Sequence, residues 1–147
     1  DPVFEKISAN LGKAVLSIGA VKGFEIGDGF SVAESNGATN NDNFYVTEDR
    51  AIAKKTNHSG GTLGGMTDGS EIVFRTAFKP TPSIAQVQET VTTNMEEVEI
   101  EITGRHDPII VPRAVVVVES MAAITILDAL LLNMTARLDR ICEFYNR

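Results

Sequence analysis

Residues 112–132 read PRAVVVVESMAAITILDALLL, and whether this run is helix or strand decides the fold. Four consecutive valines, 115–118, favour strand locally. The length of the run, its Ala, Met and Leu content and its lack of glycine favour helix, and Pro112 suits a first helical turn. The reading is therefore a helix, continued through residues 133–147 with Met134, Leu138, Ile141 and Cys142 on one face. The run is also long enough to be tested as a membrane span. Glu119 and Asp128 inside it are each costly at mid-bilayer, and no basic clusters flank it, so it is read as the central helix of a protein core.

Immediately ahead of that helix stands Gly104-Arg-His-Asp-Pro108. Pro108 pushes the preceding residue toward extended backbone, which keeps Arg105, His106 and Asp107 out of the helix. An arginine can hold an anion with two hydrogen bonds, and a carboxylate at a crowded site can act as general acid or base. A structural ion pair at a strand-to-helix bend would use the same residues.

Upstream, Val3, Phe4, Ile7, Leu11, Ala14, Val15 and Ile18 recur at three- and four-residue spacing, an amphipathic helix that Gly19 can stop. A strand is expected over Val21 and residues 24–26, and a mobile surface loop over 35–48. Residues 71–78 alternate, with Ile72, Phe74, Thr76 and Phe78 on one face. Residues 97–103 do the same, with Val98, Ile100 and Ile102 against an acidic row. Both are expected as half-buried strands, antiparallel and in one sheet, with Arg75 able to pair with that row.

Between these elements lie two unusual loops. The segment 56–70 holds five of the chain's twelve glycines. Such density fits either a flexible loop or a backbone that approaches a ligand closely. It is neither a Walker loop nor a Rossmann fingerprint. The second loop, Lys79-Pro-Thr-Pro-Ser83, follows directly on a strand. Two prolines stiffen it while one ammonium and two hydroxyls face a possible guest, so little ordering entropy remains to be lost on binding a phosphate monoester. The plain alternative is a proline-rich turn with an exposed lysine.

Composition narrows the classes. At 147 residues, 43% hydrophobic and 22% charged, the chain has globular values and the length of one domain. Its net charge of −7 argues against a nucleic-acid partner, though local cations could still hold a small anion. Cys142 is the single cysteine, so no disulfide framework or multi-cysteine metal site is expected, and a reducing compartment fits best. No HExxH, paired-Cys or Ser-His-Asp arrangement occurs, and no metal is expected. His58 reads as a surface residue and His106 as structural. The start of the chain carries no signal-peptide pattern and no initiator Met, which suggests a fragment.

Four motifs stand in register: Ser17-Ile-Gly-Ala-Val-Lys-Gly-Phe-Glu-Ile-Gly, Asn57-His-Ser-Gly-Gly-Thr-Leu-Gly-Gly, Ala77-Phe-Lys-Pro-Thr-Pro-Ser-Ile, and Gly104-Arg-His-Asp-Pro with Pro112-Arg-Ala-Val-Val-Val-Val-Glu-Ser-Met. Together they resemble the chorismate synthase family, in the same order and over essentially the whole chain. The resemblance implies an α+β fold, an antiparallel sheet packed on long helices as part of that family's β-α-β sandwich. Residues 1–147 are expected to form a single domain from the carboxy-terminal part of such an enzyme. It implies a carbon–oxygen lyase of the shikimate pathway, and so of aromatic amino acid biosynthesis. The reaction is anti-1,4-elimination of phosphate from 5-enolpyruvylshikimate 3-phosphate. The resemblance also implies a requirement for reduced FMN, which in that family donates electron density as the C–O bond breaks. A cytoplasmic homotetramer is expected, with no membrane contact.

Carried over by position, the loop Lys79, Pro80, Thr81, Pro82 and Ser83 would bind the FMN phosphate through Lys79, Thr81 and Ser83. Gly64 and the dipeptide Gly19-Ala20 would offer backbone contacts to the flavin. Arg105 would lie between flavin and substrate, and Asp107 near flavin N5. The family often has Asn, Cys and Pro where this chain has Gly19, Ile109 and Val116, so side-chain contact at position 19 is not expected. The family's catalytic histidines and substrate arginines have no counterpart here, so the isolated chain is expected to be inactive. A different class of function is a non-catalytic α+β association module that keeps only packing and oligomer surfaces.

Overall fold

The structure, a computed structural model, describes residues 4–106 and 109–146. Helix α1 spans Ile7–Leu16, followed by strand β1 (Val21–Ile26) and a 3-10 turn at Gly29–Glu34. Then come β2 (Phe44–Val46), β3 (Ile52–Lys54), β4 (Thr62–Leu63), β5 (Met66–Thr67), β6 (Phe74–Phe78), β7 (Val87–Val91) and β8 (Glu97–Glu101). Helices α2 (Val111–Met134) and α3 (Leu138–Tyr145) close the described chain. Among the described residues the strands form four antiparallel pairs: β1 with β6, β2 with β3, β4 with β5, and β7 with β8.

The α+β class follows from how α1 is built. Ile7, Leu11, Gly12 and Val15 fall on one face and are buried. Leu11 and Val15 are wholly inaccessible, and Val21 of β1 and Ala114 of α2 complete the buried hydrophobic residues among those described. Gly12 lets the helix approach β1, since a Cβ there would stand 3.3 Å from the Phe24 ring. Phe24 in turn meets Phe74 on β6, ring centroids 5.5 Å apart. The strand expected over 71–78 is present as the shorter β6, with Phe74, Thr76 and Phe78 partly buried and Arg75 and Ala77 exposed, while residues 71–73 lie outside it.

Several expectations are corrected. The strands at 74–78 and 97–101 do not share a sheet, because β6 pairs with β1 and β8 pairs with β7. Arg75 accordingly finds no acidic row on β8; its Nε donates to Glu25 Oε1 on β1 at 2.7 Å. Residues 97–101 are exposed rather than half-buried. The segment 35–48 is not all loop, since Phe44, Tyr45 and Val46 pair with Lys54, Ala53 and Ile52. The last helix does not run on to the end of the chain. The Thr135 hydroxyl bonds back to the Leu132 carbonyl (2.8 Å), the backbone leaves helix at Arg137 (φ −125°), and α3 starts anew.

Helix α2 itself forms as expected, with Pro112 in its first turn. Its burial does not. Only Ala114 is buried, although the mean hydropathy of its most apolar stretch is 2.2 and it is the one described helix long and apolar enough to cross a membrane. A helix apolar on every side needs neighbours on every side, and α1 packs along one of them.

Candidate functional site

The β1–β6 pair brings two of the candidate segments together. Val21 pairs with Phe78 at the end of the ladder, so the residues just before β1 meet those just after β6. The Lys79 N–H donates to the Ala20 carbonyl at 2.7 Å. Gly19 and Ala20 form the corner between α1 and β1, closed by the Val21 N–H on the Ile18 carbonyl (3.2 Å). Ala20 sits at φ +69°, a left-handed conformation that costs a non-glycine residue about 1–2 kcal/mol. Such strain concentrates at ligand clamps.

The 79–83 loop then leaves the sheet and enters β7. The Gln88 side-chain amide, on β7, donates to the Pro82 carbonyl at 2.8 Å, and the Ile84 N–H reaches the same oxygen at 3.1 Å. Gln88 was not picked out from sequence; its place five residues beyond a proline-rich loop carries no recognisable signal. Lys79, Pro80 and Pro82 are exposed while Thr81 and Ser83 are half-buried. The Lys79 ammonium and the Thr81 and Ser83 hydroxyls make no hydrogen bond or ion pair among the described residues. This is the donor set a phosphate monoester needs, on a backbone stiffened by two prolines and a glutamine amide.

Arg105 is led toward this end of the fold by the second ladder. Val87 opens β7 and pairs with Glu101, which closes β8. Ser83 precedes the one by four residues and Arg105 follows the other by four. Its guanidinium is exposed and also lacks a partner among the described residues. His106 Nε2 stands 3.1 Å from the Ile102 carbonyl, a local tie. Asp107 lies outside the described residues.

Gly64 stands apart from these groups. It occupies the turn between β4 and β5 at φ +59°, exposed, with open space where a Cβ would be. The next carbonyl, of Gly65, accepts the Ile7 N–H at 3.1 Å and so caps the start of α1. Gly64 and Gly19 therefore lie at opposite ends of a ten-residue helix, about 15 Å long at 1.5 Å per residue. A ligand touching both ends must be elongated.

The glycine-rich segment is a folded element rather than a slack loop. A Cβ at Gly60 would stand 2.4 Å from the Gly27 nitrogen, and one at Gly61 would stand 2.4 Å from the Glu71 carbonyl oxygen. These glycines serve contact between backbones of the chain itself, whereas Gly64 is left for another role. A polar knot fixes the loop from outside. Lys54 Nζ, on β3, lies 2.7 Å from Asp68 Oδ2, 2.9 Å from Ser59 Oγ and 3.5 Å from Asp42 Oδ2. The Lys54 and Asp42 side chains are only 5% and 8% exposed. Burial raises the Asp42 carboxyl's affinity for a proton. The Ser59 N–H, the Thr56 and Ser59 hydroxyls and the His58 N–H outweigh that burial and hold the group far below the ordinary carboxylate range. Asp68 is lowered chiefly by its hydrogen bond from Lys54, helped by the Ser70 N–H. His58 is no isolated surface residue: its Nδ1 is 2.6 Å from Asp28 Oδ2.

Comparison with known proteins fits this geometry. A crystal structure of chorismate synthase superposes with a TM-score of 0.69 over 96% of this chain and 36% of that one, at 32% identity. The fold is thus the α+β arrangement of that structure. A model of the family described as chorismate synthase matches residues 1–131. Chorismate synthases of Agathobacter rectalis and Lachnospira eligens are 70% and 62% identical over the whole of this chain. The chain belongs to the chorismate synthase family. It spans about 40% of the length of those curated relatives.

Proposed function

We propose that the chain is the carboxy-terminal, flavin-phosphate-holding part of a chorismate synthase. The parent protein would eliminate phosphate from 5-enolpyruvylshikimate 3-phosphate to give chorismate with reduced FMN. The observation that supports this most is the 2.7 Å bond from the Lys79 N–H to the Ala20 carbonyl. It joins two sequence motifs far apart in the chain beside one ammonium and two hydroxyls that have no partner among the described residues. The chemistry that reduced FMN would supply when bound is electron density for the substrate as the C–O bond breaks. The chain's own residues do the holding. Lys79, Thr81 and Ser83 grip the phosphate, Pro80 and Pro82 keep them in place, and Gly19, Ala20 and Gly64 offer backbone along an elongated cofactor. Arg105 stabilises charge between cofactor and substrate, and Asp107 takes part in moving the proton.

The active form in this reading is a cytoplasmic homotetramer, with residues 1–147 acting as one domain. Protein rather than lipid covers α2, because Glu119 and Asp128 lie within its apolar length. The 147-residue chain alone does not turn over. In the full-length protein, Lys79→Ala raises the FMN concentration needed for half-maximal chorismate formation by about 5- to 150-fold, as for loss of a charge-assisted contact worth about 1–3 kcal/mol. An unchanged FMN requirement, or turnover by the isolated chain, contradicts the proposal.

The exposed apolar length of α2 favours a second reading, an association module that binds flavin negligibly. Under it Lys79→Ala changes stability by no more than about 0.5 kcal/mol and changes nothing else.

A further inference from the structure

A phosphate monoester carries close to two negative charges near neutrality, and the 79–83 loop offers one cation. The register of the β1–β6 ladder supplies a second. Val21 pairs with Phe78 and Gly23 with Ala77, so β1 advances two residues while β6 advances one. Lys22 is the extra residue of this bulge. Bulges next to ligand sites commonly re-aim a side chain out of the alternation of the sheet. Val21 is buried, whereas Lys22 is exposed, so Lys22 stands on the face turned away from the core.

Its position is decisive. Ala20, two residues before it, accepts the Lys79 N–H, and Phe78, the neighbour of Lys79, pairs with Val21. Residues diagonally placed across a ladder have Cα atoms about 7–8 Å apart, within reach of two extended lysine side chains that converge on one anion. Between them along the ladder lies the Val21–Phe78 pair, with Val21 buried, and beyond Lys22 come only the small residues Gly23 and Ala77, where a Cβ on Gly23 would touch that of Ala77 at 3.3 Å. Lys22 makes no ion pair or hydrogen bond through its ammonium among the described residues. By contrast Arg75, farther along the same ladder, is neutralised by Glu25 at 2.7 Å.

We infer that Lys22 is a second cation of the phosphate site, acting with Lys79 on the terminal phosphate of the flavin. This rests on the reading of the 79–83 loop given above. The test compares FMN with riboflavin, which has the same ring and no phosphate, by fluorescence titration of the full-length protein and its Lys22→Met, Lys22→Arg and Lys79→Met variants. Lys22→Met should weaken FMN at least 10-fold, leave riboflavin within 2-fold, and be largely restored by Lys22→Arg. Equal weakening of both ligands, or no weakening of FMN, overturns the assignment, with circular dichroism checking that the variant is folded. If Lys79→Met lowers the preference for FMN and Lys22→Met does not, only the inference about Lys22 fails. If neither does, the phosphate-loop reading falls with it.

Discussion

Lys54 gives the sharpest test of how the glycine-rich segment is held. Replacing it with Met keeps most of the side-chain volume and removes the ammonium. Asp68 then loses its 2.7 Å partner, and Ser59 and Asn57 lose contacts of 2.9 and 3.3 Å. Breaking a buried ion pair from one side costs about 3–5 kcal/mol. Asp42 keeps its donors from Thr56, His58 and Ser59, and Asp68 is 13% exposed, so the lower end of that range, about 3 kcal/mol, applies. For a protein of this size the expected fall in Tm is about 6–12 °C, read by circular dichroism. The dependence on pH has a definite sign. Asp68 is depressed in the folded chain, mainly by Lys54, so its contribution is full above the unfolded value near 3.8 and is lost as pH falls through the folded value. The gap between the parent chain and Lys54→Met should therefore be full at neutral pH and narrow as pH falls below the unfolded value of 3.8. A Tm within 1 °C of the parent, or a gap independent of pH, would refute the ion-pair account.

Two glycines with similar φ should behave differently. Gly60→Ala drives a Cβ to 2.4 Å from backbone and should cost more than about 3 kcal/mol, leaving little folded chain on a urea melt. Gly64→Ala meets open space, so its cost should stay near the 1–2 kcal/mol of left-handed strain while FMN affinity falls. Gln88→Ala leaves the Pro82 carbonyl with the Ile84 N–H alone and should weaken FMN several-fold with a stability change of about 1 kcal/mol or less. The uncovered faces of α2 should make the 147-residue chain self-associate, seen as a concentration-dependent sedimentation coefficient; a monomer that binds no hydrophobic dye would contradict the exposed helix.

Local periodicity was a good guide where an element's partner lay within the chain. The four-residue spacing of Ile7, Leu11 and Val15 emerges as a buried face, and the alternation of Phe74, Thr76 and Phe78 as a partly buried one. Partner choice was not legible, because alternation says which face of a strand is apolar and nothing about which strand it joins; β8 therefore went to the wrong sheet. The short strand Phe44–Val46 was hidden by the Asn- and Asp-rich turn residues around it, although its aromatic and β-branched content was a usable signal. Helix α2 was legible as a helix and misread as buried, since apolarity on all sides reports how many neighbours a helix needs rather than how many this chain provides. At the site, the donor chemistry of residues 79–83 could be read directly. Its contact with Ala20 required the β1–β6 register, and the distance of Gly64 required the length of α1.

The central claim is that these residues contain a grip for the flavin phosphate. The most direct measurement is a calorimetric titration of FMN, oxidised and reduced, into the 147-residue chain and its Lys79→Ala variant. Saturable binding that Lys79→Ala weakens about 5-fold or more is the predicted result. Absence of binding by a chain that circular dichroism shows to be folded, or binding indifferent to Lys79, would contradict it.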